Sequence, residues 1–250
     1  MTVTSTSLTE ARAILANARS VAAFSGAGLS AESGIATFRD SDTDALWSRF
    51  DPMELASRAG FERNPERVSD WYRWRRTKLA LVQPNPAHAA LAEQSRLVHI
   101  TQNVDDLSER AGGEEKNILH LHGTIRRDHC LANCGHQEDI DLADPPALRA
   151  CPVCESYMRP SVVWFGEGLP EDVWSRSVRV CQGADCLIVI GTSATVYPAA
   201  GLIEVVHANR GGVIVINTNP SEGSHLATIE LLGPAGRIVP KLLNGLEISS

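Results

Sequence analysis

Gly26, Gly28 and Ala31 follow an apolar run at residues 21–24 in the spacing G-x-G-x-x-A. Small residues so spaced let bare backbone approach a pyrophosphate at the head of a helix. A plain dinucleotide turn would continue into an apolar helix, but here Ser30, Ser33, Gly34, Phe38 and Arg39 come next. The run therefore predicts a phosphate cradle extended by polar side chains. Asn103 and Asp105 lie two apart after another apolar run and would project an amide and a carboxylate together. Such a pair satisfies the donor and the acceptor of a carboxamide; an Asn/Asp turn held by its own side chains is the plainer alternative. His122 ends the segment LHG beside a glycine that leaves room for a ligand. An imidazole titrating near neutrality at that place is a candidate general base. His88, His99 and His120 are read as structural hydrogen-bonding groups.

Cys130 and Cys134 form C-x3-C, sixteen residues intervene, and Cys151 and Cys154 form C-x2-C. This is close to a zinc ribbon, in which four thiolates on two knuckles close a structural site. The first knuckle is one residue longer than usual, so either its loop bulges or His129 or His136 replaces a sulfur. Cys181 and Cys186 flank the start of an apolar run and read as small buried hydrophobic residues.

The elements that must hold these groups are short apolar runs at residues 21–24, 97–101, 118–121, 186–190, 213–216 and 228–232, with helical stretches such as 199–209 between them. Near-continuous hydrophobicity marks strands buried on both faces, and the alternation predicts an α/β fold with a Rossmann-like doubly wound parallel sheet. Ligands of such sheets bind at the carboxyl ends of the strands, where residues 25–28, 102–106, 122–123, 191–193 and 217–219 place the polar clusters. Two segments interrupt the alternation, a tryptophan-rich helical one and the cysteine-bearing one. They are expected to pack together as a smaller zinc-binding domain (residues 40–86 and 124–160) beside the Rossmann-like domain (residues 8–39, 87–123 and 161–245).

The chain has 250 residues, 43% of them hydrophobic and 21% charged, and a formal net charge of -7. The acidic balance argues against nucleic acid as a direct ligand and is compatible with a basic protein substrate. No apolar run reaches the length of a membrane span. The first residues lack both a basic and an apolar leader region, so a cytoplasmic monomer without membrane contact is the expectation.

Together GAGLSAESGIATFR, TQNVDDL, LHG, the four cysteines, RPSVVWFGE at 159–167, GTS at 191–193 and INTN at 216–219 resemble the sirtuins, the NAD-dependent protein lysine deacylases. The resemblance spans residues 21–240. It implies that Gly26, Ala27, Gly28, Ser30, Phe38 and Arg39 wrap NAD, and that Gln102, Asn103, Val104 and Asp105 shape the nicotinamide pocket. Gly191, Thr192, Ser193, Asn217, Thr218, Asn219 and Ala235 would hold the adenosine half. Val163, Trp164, Phe165, Gly166 and Glu167 would pair as a strand with the substrate peptide, and Zn2+ on Cys130, Cys134, Cys151 and Cys154 would be structural. In that family the acyl-lysine oxygen attacks the ribose C1′ and expels nicotinamide. His122 would then deprotonate a ribose hydroxyl, and water releases lysine and 2′-O-acyl-ADP-ribose.

Within the family the chain is most similar to the class III branch, whose Tyr-x-x-Arg binds the carboxylate of succinyl-, malonyl- or glutaryl-lysine. Tyr72 and Arg75 carry that motif here, and Ala56 matches a small residue that widens the pocket. Acetyl groups would be removed more weakly. A mainly acetyl-specific deacetylase and a protein ADP-ribosyltransferase are the alternatives; the transferase shares NAD and the first chemical step. The chain departs from the family at Ala36, where proline is usual, at Ser108, where histidine is usual, in the C-x3-C knuckle, and by two extra residues within 40–47.

Overall fold

The computed structural model describes residues 5–35 and 51–246. In chain order the elements are α1 (Ser5–Asn17), β1 (Val21–Ser25), α2 (Gly28–Ala31), α3 (Pro52–Leu55), α4 (Arg58–Arg63), α5 (Pro65–Leu81), α6 (Pro86–Ala92), β2 (Val98–Thr101), α7 (Leu107–Arg110), β3 (Ile118–His120), β4 (Gly123–Cys130), β5 (Gln137–Asp139), β6 (Met158–Val162), α8 (Glu171–Gly183), β7 (Cys186–Ile190), α9 (Gly201–Ala208), β8 (Gly212–Asn217), β9 (Ile229–Leu232) and α10 (Ala235–Leu243). Several helices begin where a side-chain acceptor precedes proline. Asp51, Asn64 and Asn85 each accept a backbone N–H while Pro52, Pro65 and Pro86 occupy the first turn, where a missing N–H costs nothing.

The six expected strands form one sheet in the order β3-β2-β1-β7-β8-β9, and every pairing in it is parallel. Alternate residues of each strand serve opposite faces. Val21 and Ala23 of β1 join Ile188, Ile214 and the apolar sides of α1, α6 and α10. Ala22 and Phe24 join Leu187, Val189 and Val213 against α8 and α9. This double burial is the reason the strands read as unbroken apolar runs.

The interrupting segments do pack together. Leu55, Phe61, Val68, Trp71 and Tyr72 of α3 to α5 share one apolar cluster with Ile125 of β4, Val162 of β6 and Trp164. A second, three-stranded sheet, β5-β4-β6, lies here; it is antiparallel. A buried ion pair ties the two segments: Arg76 on α5 donates to Asp128 on β4 at 2.5 Å and to the Ile125 carbonyl at 2.9 Å.

The order of the large sheet reverses between β1 and β7, which opens a crevice at their carboxyl ends. There the two chains cross very closely. A Cβ on Gly28 would lie 2.6 Å from the Gly191 Cα and 2.8 Å from its carbonyl oxygen, and Gly191 itself has φ +60°. Gly28→Ala therefore forces backbone against backbone. We expect it to cost about 2 kcal/mol or more of unfolding free energy; a denaturant titration giving less than about 0.5 kcal/mol, the scale of a neutral surface change, would contradict the crossing.

Candidate active site at the carboxyl edge of the sheet

The glycine turn follows β1 as expected, but its backbone is used differently from the expectation. The Gly26 and Gly28 N–H groups donate to the Ile190 and Gly191 carbonyls at 3.0 and 2.8 Å. These glycines therefore let β1 and β7 meet, and α2 that follows is a single turn. Ser30 on that turn is the hub of the site. Its hydroxyl accepts from the Asn103 amide at 3.0 Å and donates to Asp105 Oδ2 at 2.9 Å, so the amide and the carboxylate do come together as their spacing implied. The plainer alternative holds as well, since Asp105 Oδ1 accepts the Leu107 N–H. Burial raises the Asp105 pKa, against the Leu107 and Ser30 hydrogen bonds.

Gln102 joins three strand ends. Its N–H donates to the Ser25 carbonyl, its side-chain oxygen accepts from Thr192 Oγ1 at 2.9 Å, and its carbonyl accepts from His122 Nδ1 at 3.0 Å. An N–H on Nδ1 leaves Nε2 as the lone-pair nitrogen. Burial lowers the His122 pKa, against the opposing effect of the Gln102 carbonyl. The ring is thus neutral near pH 7 and basic at Nε2, for which the described residues supply no partner.

The other histidines hold this edge in place. His120 reaches the Asn103 carbonyl through Nδ1 and Glu109 Oε1 through Nε2, both at 2.8 Å. Burial opposes charge on this ring, but the Glu109 carboxylate more than offsets it and holds the pKa above its ordinary value. Burial pushes His99 the other way, to about 3. Ser25 donates to Thr101 Oγ1, so its oxygen accepts from His99 Nε2–H, while Ser108 lies 3.2 Å from His99 Nδ1. Position 108 is thereby accounted for as a donor to a buried neutral imidazole. His88 is the structural hydrogen-bonding group it was read as, and Asn85 is a contributor the sequence reading passed over. His88 lies 3.4 Å from Ser30 Oγ, and Asn85 donates to the Leu29 carbonyl and to Ser33 Oγ. Their signal was N-P-x-H, an N-cap followed three residues on by a histidine that completes the capping box.

At the far side, Asn217 donates to the Thr192 carbonyl at 2.9 Å, while Thr218 and Asn219 are exposed. Ser193 bonds Thr195, and Ala235 is buried at the start of α10, where Glu32 accepts the Gly236 N–H at 2.7 Å. Ala27 and Val104 are both partly buried, Val104 packing against the apolar cluster of α3 to α5. Ala36, Phe38, Arg39 and the extra residues within 40–47 lie outside the described residues.

Residues 163–167 run between the two sheets. The Val163 N–H donates to the His122 carbonyl at 2.9 Å and the Phe165 N–H to that of Ala56 at 2.8 Å, and Phe165 bridges Ser57 in parallel fashion. Phe165 and Gly166 are exposed, whereas Trp164 is turned into the core. Glu167 binds Arg159 through both oxygens and also accepts the Trp164 N–H. Tyr72 and Arg75 share one face of α5 below this segment, with the Arg75 guanidinium 4.9 Å from the Trp71 ring and 5.8 Å from that of Tyr72. Among the described residues no carboxylate forms an ion pair with Arg75.

The four cysteine sulfurs lie within 4.8 Å of one another, with Cys130 and Cys154 at 3.3 Å and Cys134 and Cys151 at 3.6 Å. A zinc ion bound tetrahedrally by thiolates at about 2.3 Å would hold its sulfurs about 3.8 Å apart, so this donor set fits one structural Zn2+. No histidine is needed: His129 Nδ1 bonds Ser161. The longer knuckle bulges at Asn133, with φ 54°, a residue type that tolerates that region.

The site's makeup agrees with comparisons to known proteins. Residues 26–198 match the model of the Sir2 family. The chain is 46% identical over 234 residues to an NAD-dependent protein deacylase of Mycobacterium tuberculosis, covering 90% of this chain and 97% of the relative. It is 45% identical to NAD-dependent protein deacylase 1 of Archaeoglobus fulgidus, covering 92% and 94%. A Sir2 homologue solved as an NAD complex superposes with a TM-score of 0.87 at 43% identity over 94% of this chain and 92% of that one. A second Sir2 structure, bound to a myristoylated histone peptide, gives 0.76 at 31% identity over 96% of each. With that match running from the glycine crossing through the strand end that carries His122 and the four cysteines, the chain belongs to the Sir2 family.

Proposed function

We propose that this protein is an NAD-dependent protein lysine deacylase that prefers acyl groups ending in a carboxylate, such as succinyl, malonyl or glutaryl. Support for the general activity comes from the relatives' activity and from a crevice that suits the co-substrate. Two chains cross there without side chains, a carboxylate and an amide stand together for a carboxamide, and a neutral imidazole presents Nε2. NAD supplies the electrophilic ribose carbon and the nicotinamide leaving group when bound. The residues of this chain then do three things. Asn103 and Asp105, set by Ser30, hold the carboxamide; His122 Nε2 takes a proton from a hydroxyl; and residues 163–167 carry the acyl-lysine peptide. The zinc site takes no part in the chemistry.

The observation that carries the acyl preference is Arg75, a partly buried cation that forms no ion pair with a carboxylate among the described residues, its guanidinium 5.8 Å from the Tyr72 ring centroid and Asp105 the carboxylate that acts on it from a distance. A planar guanidinium matches a carboxylate bidentately, and a phenol adds a third donor. Peptides bearing acetyl-, succinyl- and glutaryl-lysine should be compared with NAD, following products by mass spectrometry. Succinyl or glutaryl should exceed acetyl in kcat/KM, and Arg75→Met should reverse the order by lowering the acidic substrates about 10- to 100-fold, the worth of a charged hydrogen bond. Equal kcat/KM on all three peptides would sink the acyl assignment. Appearance of ADP-ribosylated protein in place of deacylated peptide would favour the transferase.

A further inference from the structure

Trp164 sits in the segment assigned to the peptide, yet it is only 1% exposed, as is Tyr72, so its side chain does not face a peptide. It reaches instead the tyrosine read as part of the acyl-carboxylate site. Its indole Nε1–H donates to the Tyr72 hydroxyl oxygen at 3.0 Å. The indole is held firmly: the Arg159 guanidinium lies 3.3 Å from its ring centroid and Phe61 packs at 5.4 Å. Arg159 in turn donates to Glu167 and to the Val162 carbonyl. A phenol O–H lies near the ring plane and has two in-plane directions. When a fixed N–H approaches the oxygen from one of them, the hydroxyl proton takes the other.

We propose that Trp164 is a positioning residue for acyl specificity: its N–H occupies the accepting side of Tyr72 and so commits that hydroxyl to donating toward the acyl head group beside Arg75. This rests on the reading of Tyr72 and Arg75 as the acyl-carboxylate site. A carboxylate accepts and cannot donate, so a hydroxyl restricted to donating favours succinyl over any head group that would need an acceptor. Without the indole N–H the hydroxyl rotates freely, and part of its preference for a carboxylate is lost. A hydrogen bond within a cluster also polarises its neighbour, which strengthens the donor in the same direction.

The test is a cycle on the full chain with NAD saturating, using Trp164→Phe, Tyr72→Phe and the double variant, each assayed on succinyl- and acetyl-lysine peptides. Trp164→Phe keeps an aromatic ring and deletes the donor. Replacement of Trp164 by β-(3-benzothienyl)alanine, which keeps the bicyclic shape and lacks the N–H, controls for the cavity. Both should lower the succinyl-to-acetyl ratio of kcat/KM by about 5-fold, mostly through KM for the succinyl peptide, the scale of one hydrogen bond. The double variant should match Tyr72→Phe, because Trp164 acts through a hydroxyl that is no longer there. An unchanged ratio in the benzothienyl protein, or losses that add in the double variant, would overturn the role of Trp164. If Tyr72→Phe and Arg75→Met themselves leave the ratio unchanged, the acyl-carboxylate reading has failed and this inference with it.

Discussion

His122→Ala should lower kcat about 10²- to 10⁴-fold with NAD and peptide saturating, the usual contribution of a positioned general base. The expectation follows from a hydrogen bond as much as from residue type. With Nδ1–H donating to the Gln102 carbonyl, the proton-accepting nitrogen is fixed as Nε2 before substrate arrives. The variant should bind zinc as the parent chain does and fold alike, since the imidazole is only partly buried and makes one hydrogen bond. The pH dependence carries a sign as well. Burial lowers the His122 pKa below its ordinary 6.5, so the free enzyme is base-competent above that value. The acid limb of kcat/KM should therefore fall below pH 6.5, with activity rising as pH increases through it. Steady-state rates on any acyl peptide that is turned over test both statements. A variant retaining more than about a tenth of wild-type kcat would remove His122 from the role of base.

Removal of zinc should have the second large effect, on stability first and on activity through it. The apolar cluster at the cysteine end consists of Cys130, Cys151 and Met158, too little to hold the two knuckles together, although β4 and β6 are anchored at their other end by Ile125 and Val162. Cys151→Ser, or exhaustive chelation, is expected to cost on the order of 5 kcal/mol or more, within the worth of structural zinc sites. Turnover should be lost as well, although the cysteines are remote from the crevice. β4 carries Ile125, whose N–H donates to the Val104 carbonyl at 2.9 Å, and its first residue follows His122 directly. Metal analysis, thermal unfolding and kcat measured on the same preparation decide the matter. A zinc-free chain with unchanged melting temperature and kcat would show that the four thiols are not a metal site.

The large sheet was legible because its strands are buried on both faces, and double burial leaves runs such as CLIVI that resemble nothing else. The antiparallel strands were not. β4 reads GTIRRDHC, where three arginine and aspartate side chains interrupt any alternation, and only the partners on α5 and residue 149 reveal why. Asp128 is buried with Arg76 on one oxygen and Arg149 on the other, a satisfaction that depends on residues far away in sequence. In the site, His122, Asn103 and Asp105 stood out because their types suit chemistry at strand ends. That Ser30 is the hub and that His88 and Asn85 stand behind it was not legible, since the N-P-x-H spacing marks only a helix cap and the contacts arise where three distant segments meet. Gly26 and Gly28 were read as places needing bare backbone for a pyrophosphate. The neighbour that demands it is Gly191, a tertiary contact invisible in the motif.

The bond from Val163 to the His122 carbonyl has a consequence for error. A deacylase must align two movable partners, a peptide and a base, and independent supports would let their displacements add. On the proposed reading one residue provides both reference points, its main chain anchoring the start of the segment proposed for the peptide and its ring the proposed base. A thermal excursion that shifts one shifts the other in the same sense, so their separation fluctuates less than either position. Where a misplacement of about 1 Å costs a hundredfold in rate, common-mode motion of this kind is a tolerance built into the chain's connectivity.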